Sequence, residues 1–289
     1  MNRVPGDAAQ GVTQGDVIRG IAFMIVGASL LPFMNTFAKH LASDYPLWQV
    51  VWARFSGHLI WLTLLFVPAH GWRVFRPARP GLQLRRSGIF FVSNAAFISA
   101  LPGVQLASAS AIMFVTPVLV TVLSIPLLGE RVGWWRWAAV LAGLIGALVI
   151  IRPGTDVFNA SALMVLLSAC CFAIYQIWTR QLSGDDPPAT QAIWTALVGA
   201  AAASLLLPWV GVVPRTLIDL GAFAAVGLVG GLAQLCIIQA LQRAPASVIS
   251  PIGYIELVSA ALFGYAVFGD FPDSATWAGA ALIVLAGVT

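Results

Sequence analysis

Residues 87–129 read SGIFFVSNAAFISALPGVQLASASAIMFVTPVLVTVLSIPLLG, and the run contains no Asp, Glu, Lys or Arg. A helix crosses a bilayer with about 20 apolar residues, whereas a barrel strand uses about 10 that alternate with polar ones. The run does not alternate and is too long for one crossing. It predicts two spanning helices, with Pro102 and Gly103 forming the turn between them. Residues 20–38 form a second uncharged, non-alternating stretch. The whole chain carries the same signature: 289 residues, 60% hydrophobic and only 9% charged, with a mean hydropathy of +0.90. A water-facing domain carries about 25% charged residues, so the chain is an integral membrane protein.

Composition excludes several other classes. Three cysteines cannot make a disulfide scaffold, and the apolar content excludes disorder. The basic balance of 15 Lys and Arg against 11 Asp and Glu is not clustered on one solvated face, as nucleic-acid binding requires. The segment before Ile18 is polar and lacks the order of a signal peptide, so the first span is expected to be retained.

Apolar runs and their breaks predict ten spanning helices near 18–38, 46–68, 87–102, 106–128, 134–151, 159–180, 188–209, 216–241, 245–268 and 274–289. The tenth reaches Thr289 without a polar flank, a pattern expected of a chain cut short there. Orientation follows from Lys and Arg in alternate loops. With the N-terminus inside, eleven arginines (Arg3, Arg19, Arg73, Arg76, Arg79, Arg85, Arg86, Arg131, Arg136, Arg180 and Arg243) are cytoplasmic, against three basic residues outside (Lys39, Arg152 and Arg215). Both termini are therefore expected in the cytoplasm.

The chain also matches itself. At a shift of 140 residues Asn94 falls on Gln234, Ser99 on Gln239, Ala100-Leu101 on Ala240-Leu241, Ser110 on Ser250, and Trp137-Ala138 on Trp277-Ala278. At 141 or 142, Lys39 meets Arg180, Asp44 meets Asp185 and Trp52 meets Trp194. This predicts two five-helix units, residues 15–152 and 157–289, in one integrated transmembrane domain. Five is odd, so the second unit enters the membrane from the opposite side. Inverted repeats of this kind surround a central site that opens to each face in turn.

The Ala-Leu pairs, the small-residue stretch entering the fourth and ninth spans, Pro117, Leu128-Gly129-Glu130, and the spacing from Pro46 to Arg54-Phe55 resemble the EamA domain. That domain is the repeat unit of the drug/metabolite transporter superfamily. The resemblance covers essentially the whole chain. It is weaker in the second unit, which has Leu257 where Pro117 sits, Asp270 for Glu130 and Thr195 nearest Arg54. It implies a bacterial inner-membrane exporter of small metabolites, similar to the aromatic amino-acid exporters. It also implies a cavity lined by spans 1, 3, 4, 6, 8 and 9, with spans 5 and 10 packed outside.

Polar groups at membrane depth are costly and mark pathways. Glu256, the carboxylate well inside a predicted span, is a candidate proton or cation site; the alternative is a packing partner near a wet helix end. Arg54 and His58, four apart, share one helix face with Trp61 and could hold a substrate carboxylate. Because the resemblance places the second span outside the cavity, a structural role is favoured for them. Asn94 and Gln234 occupy matching repeat positions, which the inverted two-fold brings toward the midplane. Their amides donate and accept, as a zwitterionic metabolite requires; interhelical hydrogen bonding, about 0.6 kcal/mol per bond in membranes, is the plainer reading. Asn35 and Gln176 are read the same way. Tyr175 and Trp178 suit a wall for apolar or aromatic groups, whereas the Trp residues near helix ends fit the interfacial belt.

Pro32, Pro117 and Pro251 each remove a backbone donor from a span and are candidate hinges, and Ser110 and Ser250 near them offer hydroxyls. Gly27, Gly57, Gly230 and Gly231 are expected to permit close helix packing. Adjacent Cys170 and Cys171, distant Cys236 and three scattered His support no metal site, and no phosphate-binding or cofactor motif is present. The expected partners are a small-molecule substrate and the bilayer, not nucleic acid; a monomer suffices, and the small residues of the fifth and tenth spans offer a dimer surface. An exporter of amino acids is the leading reading, with a multidrug or organic-cation exporter as the alternative. An intramembrane lipid-processing enzyme would need a reactive cluster that the sequence does not offer, and a channel would need rings of charge.

Overall fold

The computed structural model describes residues 14–113, 115–128, 159–182, 184–243, 252–253, 255–269 and 272–288, with isolated helical positions between 138 and 149. Most of the fifth predicted span and the candidates Ser250 and Pro251 lie outside the described residues.

The described chain is helical, with no strand among these residues: α1 (Gln14–Asp44), α2 (Leu47–His70), α3 (Pro80–Ala100), α4 (Leu106–Met113), α5 (Val115–Leu128), α6 (Ala160–Gln181), α7 (Pro188–Ser204), α8 (Leu217–Arg243), α9 (Ile255–Phe268) and α10 (Ser274–Val288). The starts follow local chemistry. Pro80 and Pro188 sit in the first turns of α3 and α7, where a missing N–H costs nothing. The Asn159 side chain caps α6 by accepting from the Ala162 N–H at 3.0 Å. Gly184, in the turn between α6 and α7, has φ 97°, a backbone that favours glycine. Pro102 and Gly103 fall in the single turn Leu101–Gly103 that ends α3, as the uncharged run predicts.

Two boundaries differ from the sequence expectation. The α3 helix begins at Pro80 rather than 87, because the polar residues ahead of the apolar run continue the helix and are buried by it. The α7 helix ends at Ser204, and Leu207–Val210 forms a separate turn.

The segments Gln14–Asp44, Leu47–Phe75, Ala160–Gln181 and Leu217–Arg243 are each long and apolar enough to cross a membrane. Their outer surfaces carry large apolar side chains, including Leu64 at 71% and Leu228 at 53% exposure. That is affordable only where lipid, not water, covers the surface.

The most extensive contact joins α1 to α8, followed by α3 to α6. The α2 helix packs on α8 and α7, α3 also packs on α7, and α1 meets α9 as α6 meets α4 and α5. Exchanging α1, α2, α3 and the α4–α5 pair for α6, α7, α8 and α9 maps the α2–α7 contact onto itself and each of the others onto another. The α2 and α8 backbones approach closely. A Cβ on Gly57 would lie 2.8 Å from the Gly227 Cα, and one on Gly227 would lie 2.6 Å from the Gly57 Cα. This crossing requires bare backbone on both helices.

Candidate functional site

A cavity lies among α1, α2, α3, the end of α4, α6, α8 and the first turn of α9. Its interior leaves about 60 Å³ of room for water-sized molecules, and about 510 Å³ of empty space when its open mouth is counted. Asn35, Asn94 and Gln234 supply amides to its wall, Ser93 and Ser168 hydroxyls, and Phe90, Phe97 and Phe172 aromatic surface. Arg54 and Glu256 supply one fixed cation and one carboxyl group.

On α3 the lining residues Phe90, Asn94, Phe97 and Ile98 follow the i, i+4, i+7, i+8 spacing of one helix face. Asn94 donates from Nδ2 to the Phe90 carbonyl at 3.0 Å. Ser93 Oγ bonds both the Ser168 carbonyl and its Oγ at 3.0 Å, joining α3 to α6. Arg54 reaches the cavity from α2. Its Nη1 rests on Met34 Sδ, and it fits because α8 has no side chain at Gly230, where a Cβ would lie 3.1 Å from that nitrogen. Among the described residues, neither Arg54 nor Glu256 makes an ion pair. The guanidinium thus faces the cavity with donors to spare. Resemblance placed the second span outside the cavity; packing at Gly230 instead brings Arg54 into the wall.

Other predicted residues fall elsewhere. Tyr175 is fully buried behind the wall, its ring 4.5 Å from Phe90 and 5.7 Å from Phe172 between centroids. Gln176 and Trp178 are partly buried and not in the lining; Gln176 extends the Ser168, Phe172 row by about one turn. His58 and Ser110 are buried, with His58 Nε2 and Ser110 Oγ lacking hydrogen-bond partners, and His58 stacks on Trp61 at 6.3 Å. Pro32 lies within the unbroken α1, and Pro117 lies within α5.

Sequence reasoning missed a second polar assembly, centred on Arg86. It was counted among loop arginines, but it lies inside α3 and is 0% exposed. Its guanidinium donates to Thr179 Oγ1 at 2.7 Å, Tyr175 OH at 2.8 Å, Gln83 Oε1 at 3.0 Å, the Gln191 carbonyl at 3.1 Å and Thr195 Oγ1 at 3.2 Å. Gln83 also donates to Asp186 at 3.0 Å, and Asp186 accepts the Ala78 N–H at 2.7 Å. Arg79 pairs with Asp185 at 3.2 Å on the same end of the bundle. The signal available in the sequence was Pro80, then Gln83 and Arg86 three apart, which fits a helix start better than a loop.

At the opposite end Tyr45 OH donates to Asp219 at 2.8 Å and accepts the Arg215 N–H at 2.8 Å. Gln49 makes two bonds to the Val212 backbone, at 2.7 and 2.8 Å. Burial pushes the Tyr45 phenol above its ordinary range, and the Asp219 carboxylate pushes the same way.

An all-helical bundle with lipid-facing apolar surface and a polar, charged cavity among its helices has the form of a membrane transporter for small molecules. The chain belongs to the EamA-like transporter family, whose pattern matches residues 18–152 and again 159–288; it is a transporter and not an enzyme. The S-adenosylmethionine uptake transporter of Rickettsia prowazekii (strain Madrid E) is 24% identical over 267 residues, covering 92% of this chain and 90% of that protein. The pseudopaline exporter of Pseudomonas aeruginosa (strain UCBPP-PA14) is 28% identical over 271 residues, covering 92% and 94%. A riboflavin transporter of Vibrio cholerae is 36% identical over 179 residues, 61% of this chain and 59% of that protein. A solved crystal structure shares the fold with a TM-score of 0.68 at 20% identity, covering 94% of this chain and 95% of that one.

Proposed function

We propose that the chain is a secondary transporter that exports a small zwitterionic metabolite, an amino acid or a derivative of one, across the bacterial inner membrane. The observation that carries this reading is the cavity wall itself. Arg54 offers a carboxylate a charged fork of donors, Glu256 offers a counter-charge for an ammonium, the amides of Asn35, Asn94 and Gln234 suit the remaining polar atoms, and Phe90, Phe97 and Phe172 suit an apolar or aromatic side chain. A cavity built for organic cations would gain from Glu256 but would be opposed by the fixed charge of Arg54, so the multidrug reading is the weaker one.

The relatives' names are compatible with this class. S-adenosylmethionine carries an amino-acid group, a cationic centre and an aromatic ring. Because the relatives include both an uptake carrier and an exporter, export rests on resemblance rather than on any residue.

The matched helix contacts support two inverted units, residues 15–152 and 157–289, that rock about the cavity in alternating access. Pro32, Pro117 and Pro251 are the proposed hinges, with Ser110 and Ser250 beside them. The Arg79–Asp186 end is assigned to the cytoplasm by the positive-inside count, with both termini on that side. Reconstituted vesicles test the reading. Saturable movement of a radiolabelled amino acid, unchanged chemically, is expected, and failure of every member of an amino-acid and S-adenosylmethionine panel to move contradicts it.

A further inference from the structure

Two closures hold the ends of the bundle, and they differ in one respect. At the Tyr45–Asp219 end the bonds run among residues away from the cavity. At the other end a chain of hydrogen bonds runs into the cavity wall. Asp186 holds Gln83, Gln83 accepts from Arg86, and Arg86 donates to Tyr175 OH. Gln234, which lines the cavity, donates from Nε2 to that same hydroxyl at 2.8 Å.

The geometry points to Tyr175 as a positioning residue that couples occupancy of the cavity at Gln234 to the Arg86 closure, so that a bound zwitterion loosens that end of the bundle. This rests on the transport reading above. Arg86 joins α3 to α6 and α7 through four bonds, and its guanidinium also lies 4.6 Å over the Tyr175 ring. Parting these helices leaves a buried cation without acceptors, a costly state unless the network rearranges.

The site contains a group ready for a second arrangement. Gln191, whose carbonyl accepts from Arg86, has its Oε1 buried without a partner, and such unmet buried polar atoms are rare in a packed network. A substrate that takes the Gln234 amide competes with Tyr175 for it. Occupancy therefore weakens the tie between cavity and closure, and the substrate binds more tightly to the form open at the Arg86 end. A carrier that loads at that face needs this preference.

The test is thiol labelling in oriented proteoliposomes. Ser87→Cys, in a background with the three native cysteines replaced, lies next to Arg86 and outside the cavity lining, and reports opening of that closure to a membrane-impermeant reagent added at the Arg79–Asp185 face. Binding of L-phenylalanine and S-adenosylmethionine is measured separately. In the otherwise unchanged protein, a probe that binds should raise the labelling rate. Tyr175→Phe keeps the ring and removes the hydroxyl; basal labelling should rise roughly tenfold and lose its response to the probe. Thr179→Val removes one bond to Arg86 but leaves the Tyr175–Gln234 link, so it should raise basal labelling and keep the response. Equal melting temperatures for Tyr175→Phe and Thr179→Val separate coupling from general loosening. A Tyr175→Phe protein with parental basal labelling, or with the probe response intact, overturns the proposal. If neither probe binds the parent, the substrate reading fails, and basal labelling alone still decides whether Tyr175 holds the closure.

Discussion

Replacing Arg54 with methionine removes the cavity's guanidinium while keeping a side chain of similar length beside Met34. In the structure Arg54 has five N–H donors, and only the contact of Nη1 with Met34 Sδ is accounted for. A substrate carboxylate would take at least one charge-assisted hydrogen bond from it, worth about 1.5–3 kcal/mol. Affinity for L-phenylalanine should therefore fall roughly 10- to 150-fold in Arg54→Met. The bond is isolated by a double-mutant cycle in which the second change is on the ligand, phenylalaninamide in place of phenylalanine. Titration calorimetry in lipid nanodiscs should show the acid binding better than the amide in the parent and both binding alike in the variant. Removing a buried charge that lacks an ion pair should not destabilise the fold, so the melting temperature serves as a control. If the acid keeps its advantage over the amide in Arg54→Met, Arg54 does not hold the carboxylate.

Glu256→Gln should abolish accumulation driven by a pH gradient and, by removing the ammonium's counter-charge, leave exchange only at raised substrate concentration; accumulation at the parental level would remove Glu256 as the coupling group. Gly227→Ala inserts a methyl group where the Gly57 backbone already lies, so it should cost about 1–3 kcal/mol, seen as a lower thermal midpoint in lipid; an unchanged midpoint would mean that α2 and α8 do not meet there. Pro32→Ala restores a donor within α1 and should lower the net transport rate with little change in affinity, as a hinge requires; a parental rate would mark Pro32 as a static bend.

The spans and most of the cavity chemistry are legible in the sequence because membrane depth makes polarity conspicuous. Asn35, Asn94, Gln234 and Glu256 stand out from apolar surroundings and all line the cavity. Which way a helix faces is less legible. Arg54 was visible as a charge, but its place in the wall depends on Gly230 across the interface, a contact between residues far apart in sequence. Gln176 reads as lining by its depth equivalent to Asn35, and Tyr175 and Trp178 as an aromatic wall, yet Tyr175 sits behind Phe90 and Phe172 and the other two are not in the lining. Arg86 stands at the edge of an apolar run and reads as a cytoplasmic loop arginine; only its partners Gln83, Thr179 and Thr195, drawn from α3, α6 and α7, show why a cation is buried there.

The central claim is that the cavity selects a zwitterion through Arg54 and Glu256, and counterflow in proteoliposomes tests it most directly. Vesicles are loaded with unlabelled L-phenylalanine and exposed to trace radiolabelled phenylalanine or to radiolabelled phenethylamine, which lacks only the carboxylate. The account predicts transient accumulation of phenylalanine and none of phenethylamine. Accumulation of the amine to the same extent as the amino acid would contradict it.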